Sequence, residues 1–344
     1  MKICLCVSSY ERGGIGTVIY YEAKYLSDAN HEVKIVTLNP KKQPPPNVEL
    51  IRLVNPREIN KLNCDIMHFH DSLRFLRVLK QDARAVATYH GYTPWHLRPT
   101  LRDMVLMSIY KRKYLRELAK PTVKKVIAIS KYVRRDLAHI NEKVTVIYNG
   151  IDTKLFRPIN GERIKELKEQ MGEPALIYVG SFYRHKRVLD LVKAMPLLLK
   201  EYSNCKLTLI GYGPDTSKIG RLSKKLSVQR HVNLRGTVSD LELPLYYNAA
   251  DVYITASMWE GFGLTPLEAM ACGKPVISRN IPAIAEHTEK AGSILTFNRL
   301  EEVPKLIGDI LSNYLHFSKK ALEYAKIFPW DLHAVKLEKV YKVL

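Results

Sequence analysis

The sequence predicts an α/β protein built from two doubly wound parallel-sheet domains that face each other across a cleft. Three observations lead there. The chain has 344 residues, more than a single hydrophobic core usually organises. Short apolar runs alternate with amphipathic stretches along nearly its whole length, the pattern of repeated βαβ units. The alternation comes in two blocks, parted by the turn-rich stretch NGIDTKLFRPINGERIKELKEQMGEP, which carries a short charged helix ending at Gly172. The predicted domains are residues 1–155 and 156–330, followed by a last helix over 331–344.

In the first block the strands are expected at ICLCVSS, EVKIVTL, VELIRLV, DIMHFH, AVATYH, KVIAIS and VTVIYN. In the second they are ALIYVGS, KLTLIG, VNLRG, DVYITAS and PVIS. Helical spacing separates many of them, as in GTVIYYEAKYLSDA and RVLDLVKAMPLLLKEY. The closing segment WDLHAVKLEKVYKVL sets Trp330, Ala334, Leu337, Tyr341 and Leu344 on one face, so a docked terminal helix is expected. In doubly wound sheets ligands sit at the carboxyl ends of the strands, here in the cleft.

Hydrophobic residues make up 46% of the chain and no low-complexity tract interrupts it, which favours an ordered protein. No stretch of about 18 consecutive apolar residues could span a bilayer. The opening MKICLCVSSYERGG is too short an apolar run for a signal peptide and reads as a buried first strand. Five cysteines without metal-ligand spacing point to reduced thiols and a cytosolic setting, with Cys4 and Cys6 as small core residues. The charge is lopsided: 54 Lys and Arg against 34 Asp and Glu, net +20, with 26 basic and 13 acidic residues in the first 150. Such a balance suggests an anionic partner. No nucleic-acid recognition motif accompanies it, so specific nucleic-acid binding is not expected.

Four strand-end loops carry candidate chemistry. SSYERGGIGTVIYY brings Gly14 and Gly16 to a strand-to-helix turn, where amides could meet a phosphate or a sugar. It is not the dinucleotide fingerprint: Ile19 holds the third small position, and the second strand ends in TLN without an acid. A plain tight turn would use the same glycines. VGSFYRHKRVLDL places Arg184, Lys186 and Arg187 after a strand, able to neutralise a diphosphate or merely to be solvated. In WEGFGLTPLEAMACGKPV, Thr265, Pro266 and Glu268 fit a capped helix start, which accounts for Glu268 without a ligand. Glu260, with Gly261 and Gly263 around Phe262, has no such structural reason. His90 ends the AVATYH strand beside a glycine; a lone histidine there is either structural or part of the site.

Taken together these segments resemble the GT-B-fold glycosyltransferases of family 4, the group 1 glycosyl transferases, which retain the anomeric configuration. The resemblance rests on GGIG, TYHG (88–91), NGIDTKLFRP (149–158), YVGSFYRHKR (178–187), GYGP (211–214), the EGFGLTPLEAMACGKPV block and FPWD, in the family's order and over nearly the whole chain. It implies two Rossmann-like domains and a nucleotide-sugar donor, UDP- or GDP-linked, with no cofactor. Glu260, His90 and Lys186 are implied as catalytic: Glu260 near the sugar hydroxyls, His90 near the reacting sugar, Lys186 against the departing diphosphate. Gly14, Gly16, Ser181, Arg184, Arg187, Gly261, Phe262, Gly263, Leu264 and Glu268 are implied in donor binding, Glu268 through the ribose. The family usually has arginine where this chain has Ser181, so either Arg184 or Arg187 replaces it or the donor phosphate is held more weakly and activity is lower than in relatives. The closing helix is implied to cross back to the first domain.

No Asp-x-Asp pair is present, so a metal at the diphosphate is not expected; Lys186 and a helix N-terminus would take that charge. The acceptor is expected to be a glycan, a lipid-linked molecule or a small molecule. Segment 98–120, with seven basic and two acidic residues among Leu101, Met104, Val105 and Ile109, is either an ordinary surface helix or a patch for anionic lipid on the inner face of a membrane. A nucleotide-sugar epimerase of the same fold and a non-catalytic sugar-nucleotide-binding protein are the competing readings.

Overall fold

In the computed structural model, which describes residues 1–80, 83–94, 97 and 100–344, the chain forms two units, each around its own parallel sheet. One unit holds most of residues 1–150 together with Trp330–Leu344; the other is Ile151–Pro329.

The first sheet contains β1 (Lys2–Tyr10), β2 (Glu32–Pro40), β3 (Glu49–Arg52), β4 (Ile66–His70), β5 (Ala85–Tyr89), β6 (Val123–Ala128) and β7 (Val144–Val146). Their order is β3-β2-β1-β4-β5-β6-β7. All these pairings are parallel. β4 and β5 are buried along their whole length, as expected of strands covered on both faces. The helix Gly14–Asp28 follows β1 and packs Val18, Ile19, Ala23 and Leu26 inward.

The second sheet contains β8 (Ala175–Val179), β9 (Lys206–Ile210), β10 (Val232–Gly236), β11 (Val252–Thr255), β12 (Val276–Arg279) and β13 (Ile294–Phe297), in the order β10-β9-β8-β11-β12-β13. The twelve anticipated strands all form. β13 was not anticipated, because SILTF is short and sits among polar and turn residues. The charged helix Glu162–Met171 ends at Gly172, whose φ of 79° is the left-handed conformation that glycine supplies.

The closing helix, Trp330–Lys342, belongs to the first unit. Trp330 stacks on Tyr21 with ring centroids 5.2 Å apart. Ala334, Leu337, Val340 and Tyr341 join the core made by Ile3, Leu5, Ile19 and Ile35. Burying one large aliphatic side chain stabilises by roughly 1.5–3 kcal/mol, so this stripe fixes the helix in place.

One expectation is overturned outright. Cys4 is buried in the core, but it forms a disulfide with Cys64, leaving Cys6, Cys205 and Cys272 as free, buried thiols. Cys64 precedes β4, the strand paired beside β1, and that adjacency brings the two Cα atoms to 6.0 Å. The expectation of five reduced thiols fails for this pair. Among the described residues no helix is long and apolar enough to cross a membrane.

Candidate functional site

The strand orders locate the places where a ligand can sit. In the second sheet the chain order reverses between β8 and β11, and in the first between β1 and β4. At such a switch point adjacent loops run to opposite sides of the sheet and leave a crevice at the strands' carboxyl ends. The loops after β8 and β11 are the ones that carry the basic and acidic motifs.

Those two loops are tied together. The Met258 amide donates to the His185 carbonyl at 2.8 Å, and the Trp259 ring meets the His185 ring edge-on at 6.4 Å. Lys186, in the 3-10 turn Arg184–Lys186, is thereby set opposite Glu260. Its Nζ donates to both carboxylate oxygens at 2.7 Å, with the side chains 19% and 15% exposed. The pair is partly hydrated, so each side chain stays accessible to a polar ligand. Arg187 adopts φ 52° and directs its guanidinium to Asp190, with Nε to Oδ2 at 2.8 Å and Nη2 to Oδ1 at 3.2 Å. Arg279 donates to the same carboxylate at 3.3 Å. Arg184 is exposed, and Ser181 accepts from the Tyr178 hydroxyl through its carbonyl at 3.1 Å.

The loop that follows Glu260 is fastened by Phe262. This side chain is 2% exposed and meets His287 and Phe328 edge-on at 4.9 and 5.8 Å. The Phe262 carbonyl accepts from His287 Nε2 at 3.0 Å, and the Tyr324 hydroxyl donates to Nδ1 at 2.8 Å. A carbonyl can only accept, so this histidine is the Nε2–H tautomer. Its neutral form is favoured by burial, which lowers its pKa. Phe262 is expected to meet the donor through its backbone amide; its side chain belongs to the core and its backbone lies on the loop. His287 and Tyr324 were not foreseen, because neither stands in a recognisable motif.

The expected cap is also corrected. The helix begins at Leu264, two residues before Pro266, and Gly263 is its N-cap at φ 100°. That conformation, open to glycine, lets the helix start early. The Thr265 hydroxyl is instead 2.8 Å from the Tyr253 hydroxyl. Glu268 therefore lies inside the helix and caps nothing. It is 7% exposed and accepts from the buried Tyr247 hydroxyl at 2.8 Å. Burial pushes its carboxyl up to about 7, with Tyr247 opposing and Asp240 adding to the rise. GYGP has a packing role: a Cβ on Gly211 would lie 1.9 Å from the Gly180 carbonyl oxygen, and one on Gly213 2.7 Å from the Phe182 backbone.

In the first unit Gly16 is required, since a Cβ there would lie 1.8 Å from the Glu11 carbonyl oxygen, whereas Gly14 faces open space. His90 follows β5 and is 6% exposed, its Nε2 3.2 Å from His70 Nδ1. Burial first, then His70, pushes it down to about 3, so it is a neutral imidazole. Behind it lies a group that the sequence reading did not single out. Glu22, His68, His70 and His333 are buried together, with His333 Nε2 2.9 Å from Glu22 Oε1 and His333 Nδ1 donating to the Tyr148 carbonyl at 2.7 Å. Burial alone would raise the Glu22 carboxyl, but His70, His333 and His68 outweigh it and hold the group well below the usual range. The alternating histidines of HFH in a buried strand were the available signal.

Comparison with known proteins gives a consistent picture. A family model described as Glycosyl transferases group 1 matches residues 160–327, and one described as Glycosyltransferase Family 4 matches residues 12–155. The chain is 28% identical over 308 residues to alpha-monoglucosyldiacylglycerol synthase of Acholeplasma laidlawii, covering 83% of this chain and 77% of that one. It is 32% identical over 225 residues to the lipopolysaccharide core biosynthesis mannosyltransferase LpsB of Rhizobium meliloti, covering 60% of each. In fold it is similar to Anabaena HepE solved with UDP and glucose, at a TM-score of 0.82, 18% identity and full coverage of both chains. It is also similar to sucrose-phosphate synthase of Thermosynechococcus elongatus, at 0.81 and 21% identity, covering 99% and 98%.

Proposed function

The chain belongs to the GT-B-fold glycosyltransferases of family 4, with a group 1 glycosyl transferase domain over its second half, and from this premise we propose that it moves a hexose from a UDP- or GDP-sugar to an acceptor with retained configuration. The observation that carries the reading is the Lys186–Glu260 pair at the switch point of the second sheet. Glu260 accepts from hydroxyls of the donor sugar and orients the ring. Lys186, with the amides that open the helix Leu264–Ala271, takes the charge growing on the departing diphosphate, so no metal is needed there. The acceptor oxygen attacks the anomeric carbon from the face the nucleotide leaves, and a donor phosphate oxygen receives its proton. Glu268 accepts from the ribose. With Arg187 held by Asp190, Arg184 is assigned the role left open by Ser181. His90, a neutral imidazole, hydrogen-bonds the reacting sugar.

The test is a thermal-shift screen over UDP- and GDP-sugars, followed by a transfer assay with the anomeric proton read by NMR. A donor that binds the native state raises Tm, by an amount set by its concentration over Kd. Release of an altered sugar nucleotide without acceptor would identify an epimerase, and a thermal shift without turnover a binding protein. Lys186→Met is expected to lower kcat about 100-fold while changing donor affinity less than about tenfold, because its charge matters most as the diphosphate departs.

We also propose a lipid-linked acceptor reached at an anionic membrane. The helix Leu101–Ala119 is anchored by Tyr114 and Leu118. Leu101, Val105, Leu106 and Ile109 lie open to solvent on it, at 75%, 51%, 52% and 44% exposure. Arg102, Arg112, Lys113 and Arg116 are exposed on the same helix. Residues 98 and 99 of the predicted segment lie outside the described residues. Apolar side chains flanked by cations suit a headgroup boundary. The protein should sediment with anionic liposomes at low salt and be released at high salt; failure to sediment at low salt refutes membrane docking.

A further inference from the structure

Among the described residues one group of side chains is placed to hold a metal ion, and it lies inside the first unit, behind His90. Glu22 on the helix Gly14–Asp28 and His68 and His70 on β4 present one ligand atom each, all within 4.8 Å of one another. The three side chains are fully buried, 0% exposed. His70 Nε2 stands 3.0 Å from Glu22 Oε2, and His68 Nδ1 3.8 Å from the same oxygen. His70 Nε2 and Glu22 Oε2 thus lie at ion-pair distance, but neither atom has a well-directed hydrogen bond. Buried polar atoms without a well-directed hydrogen bond are rare in native cores, and such a pair calls for a reason. We infer that Glu22 Oε2, His68 Nδ1 and His70 Nε2 bind a divalent first-row transition ion, zinc by preference.

The surroundings support this because each ligand's second polar atom is already held. A ligating histidine as a rule commits its other ring nitrogen to a partner that fixes tautomer and orientation. His68 Nε2 is 2.7 Å from Thr88 Oγ1, and His70 Nδ1 is 3.2 Å from His90 Nε2. Glu22 Oε1 is 2.9 Å from His333 Nε2. The atoms left to face one another are Glu22 Oε2, His70 Nε2 and His68 Nδ1, and for the last an ion would replace its bond to Tyr341. The Tyr341 hydroxyl, 2.7 Å from His68 Nδ1, is the neighbouring oxygen. As a fourth ligand it would lose its proton to solvent and balance the ion's second charge. Two imidazole nitrogens and a carboxylate form a donor set suited to zinc and its neighbours rather than to magnesium or calcium. The ion's role is structural: it joins β4, the first helix and the closing helix, and through His70 it fixes the ring nitrogen that faces His90. The inference stands whether or not the chain transfers a sugar.

The test uses the untagged full chain, refolded with Zn²⁺ or Co²⁺ because the site is closed in the folded protein, then dialysed against metal-free buffer. About one equivalent of metal per chain is expected, with Co²⁺ giving the visible absorption of nitrogen ligation. Refolding with Zn²⁺ should raise Tm above that of protein refolded with chelator. His70→Ala should hold less than about a tenth of an equivalent, and Thr88→Val should weaken binding about 10-fold or more. Less than about a tenth of an equivalent in the wild-type chain, with the same Tm in zinc and in chelator, overturns the inference even if neither variant folds. Full stoichiometry in a folded His70→Ala variant overturns it as well.

Discussion

Replacing Glu260 by alanine will lower sugar transfer by at least about 1,000-fold, a loss typical of removing a group that acts on the transition state, while leaving the fold intact. Without the carboxylate, the donor sugar has no acceptor for its hydroxyls at this position, and Lys186 has no counter-charge to hold it in place. The structural cost is limited because the two side chains keep 15% and 19% of their exposure and water reaches the ammonium. A loss of about 2–4 °C in Tm is expected, the size of a 1 kcal/mol change in a domain of this length. Glu260→Gln should fold like the wild type and lose almost as much activity, since an amide cannot replace the charge. Wild-type turnover in the alanine variant would remove Glu260 from the reaction and, with it, the observation on which the transferase mechanism is built.

The second large effect belongs to Glu268 and runs through pH. Its carboxyl titrates near 7 in the folded protein because it is buried with a single strong donor, Tyr247. The folded state therefore holds a proton that the unfolded chain, titrating near 4.5, has already released. Stability must fall as pH rises from about 4.5 through about 7, by roughly 3 kcal/mol for a difference of this size. Glu268→Gln removes the term. The variant should match the wild type near pH 4.5 and exceed its unfolding free energy at pH 8 by up to this amount, measured by denaturant titration at both values. An equal gain at both pH values, or none at pH 8, would show that burial does not set the group's titration. The same variant should bind a nucleotide sugar about tenfold more weakly, because an ionised acceptor is lost to the ribose. A residue that costs stability at neutral pH and improves ligand binding is where a site departs from what the fold alone would choose.

Much of this was legible in the sequence. Alternating apolar and amphipathic segments gave twelve strands, and the motif order gave the two sheets whose switch points hold the loops. Pattern reading failed where the deciding partner is distant in sequence. Thr265-Pro266-x-Glu268 has the local form of a capped start, but a tyrosine twelve residues earlier takes the threonine and another, twenty-one earlier, takes the glutamate. The glycines around Phe262 point to an approachable backbone, but the partners that fasten its ring, His287 and Phe328, are visible only once the chain is folded. Cys4 and Cys64 are sixty residues apart, a separation from which no pairing can be inferred. Glu22, His68, His70 and His333 come from three elements spread over the chain, and only the HFH alternation hinted at them.

The closing helix has a consequence for how the protein is made. A ribosome finishes residues 1–150 early, yet the core they form lacks Trp330, Leu337 and Tyr341 until about 180 further residues have been made. The second unit, Ile151–Pro329, is continuous in sequence and can close as soon as it emerges. Synthesis thus inverts the usual sequence of events: the domain translated second can be completed first, while its predecessor waits with part of its apolar surface uncovered. Premature termination before Trp330 would strand that surface and leave Glu22 facing a gap where His333 belongs, so truncated chains should be cleared by quality control or aggregate instead of accumulating as half-active enzyme.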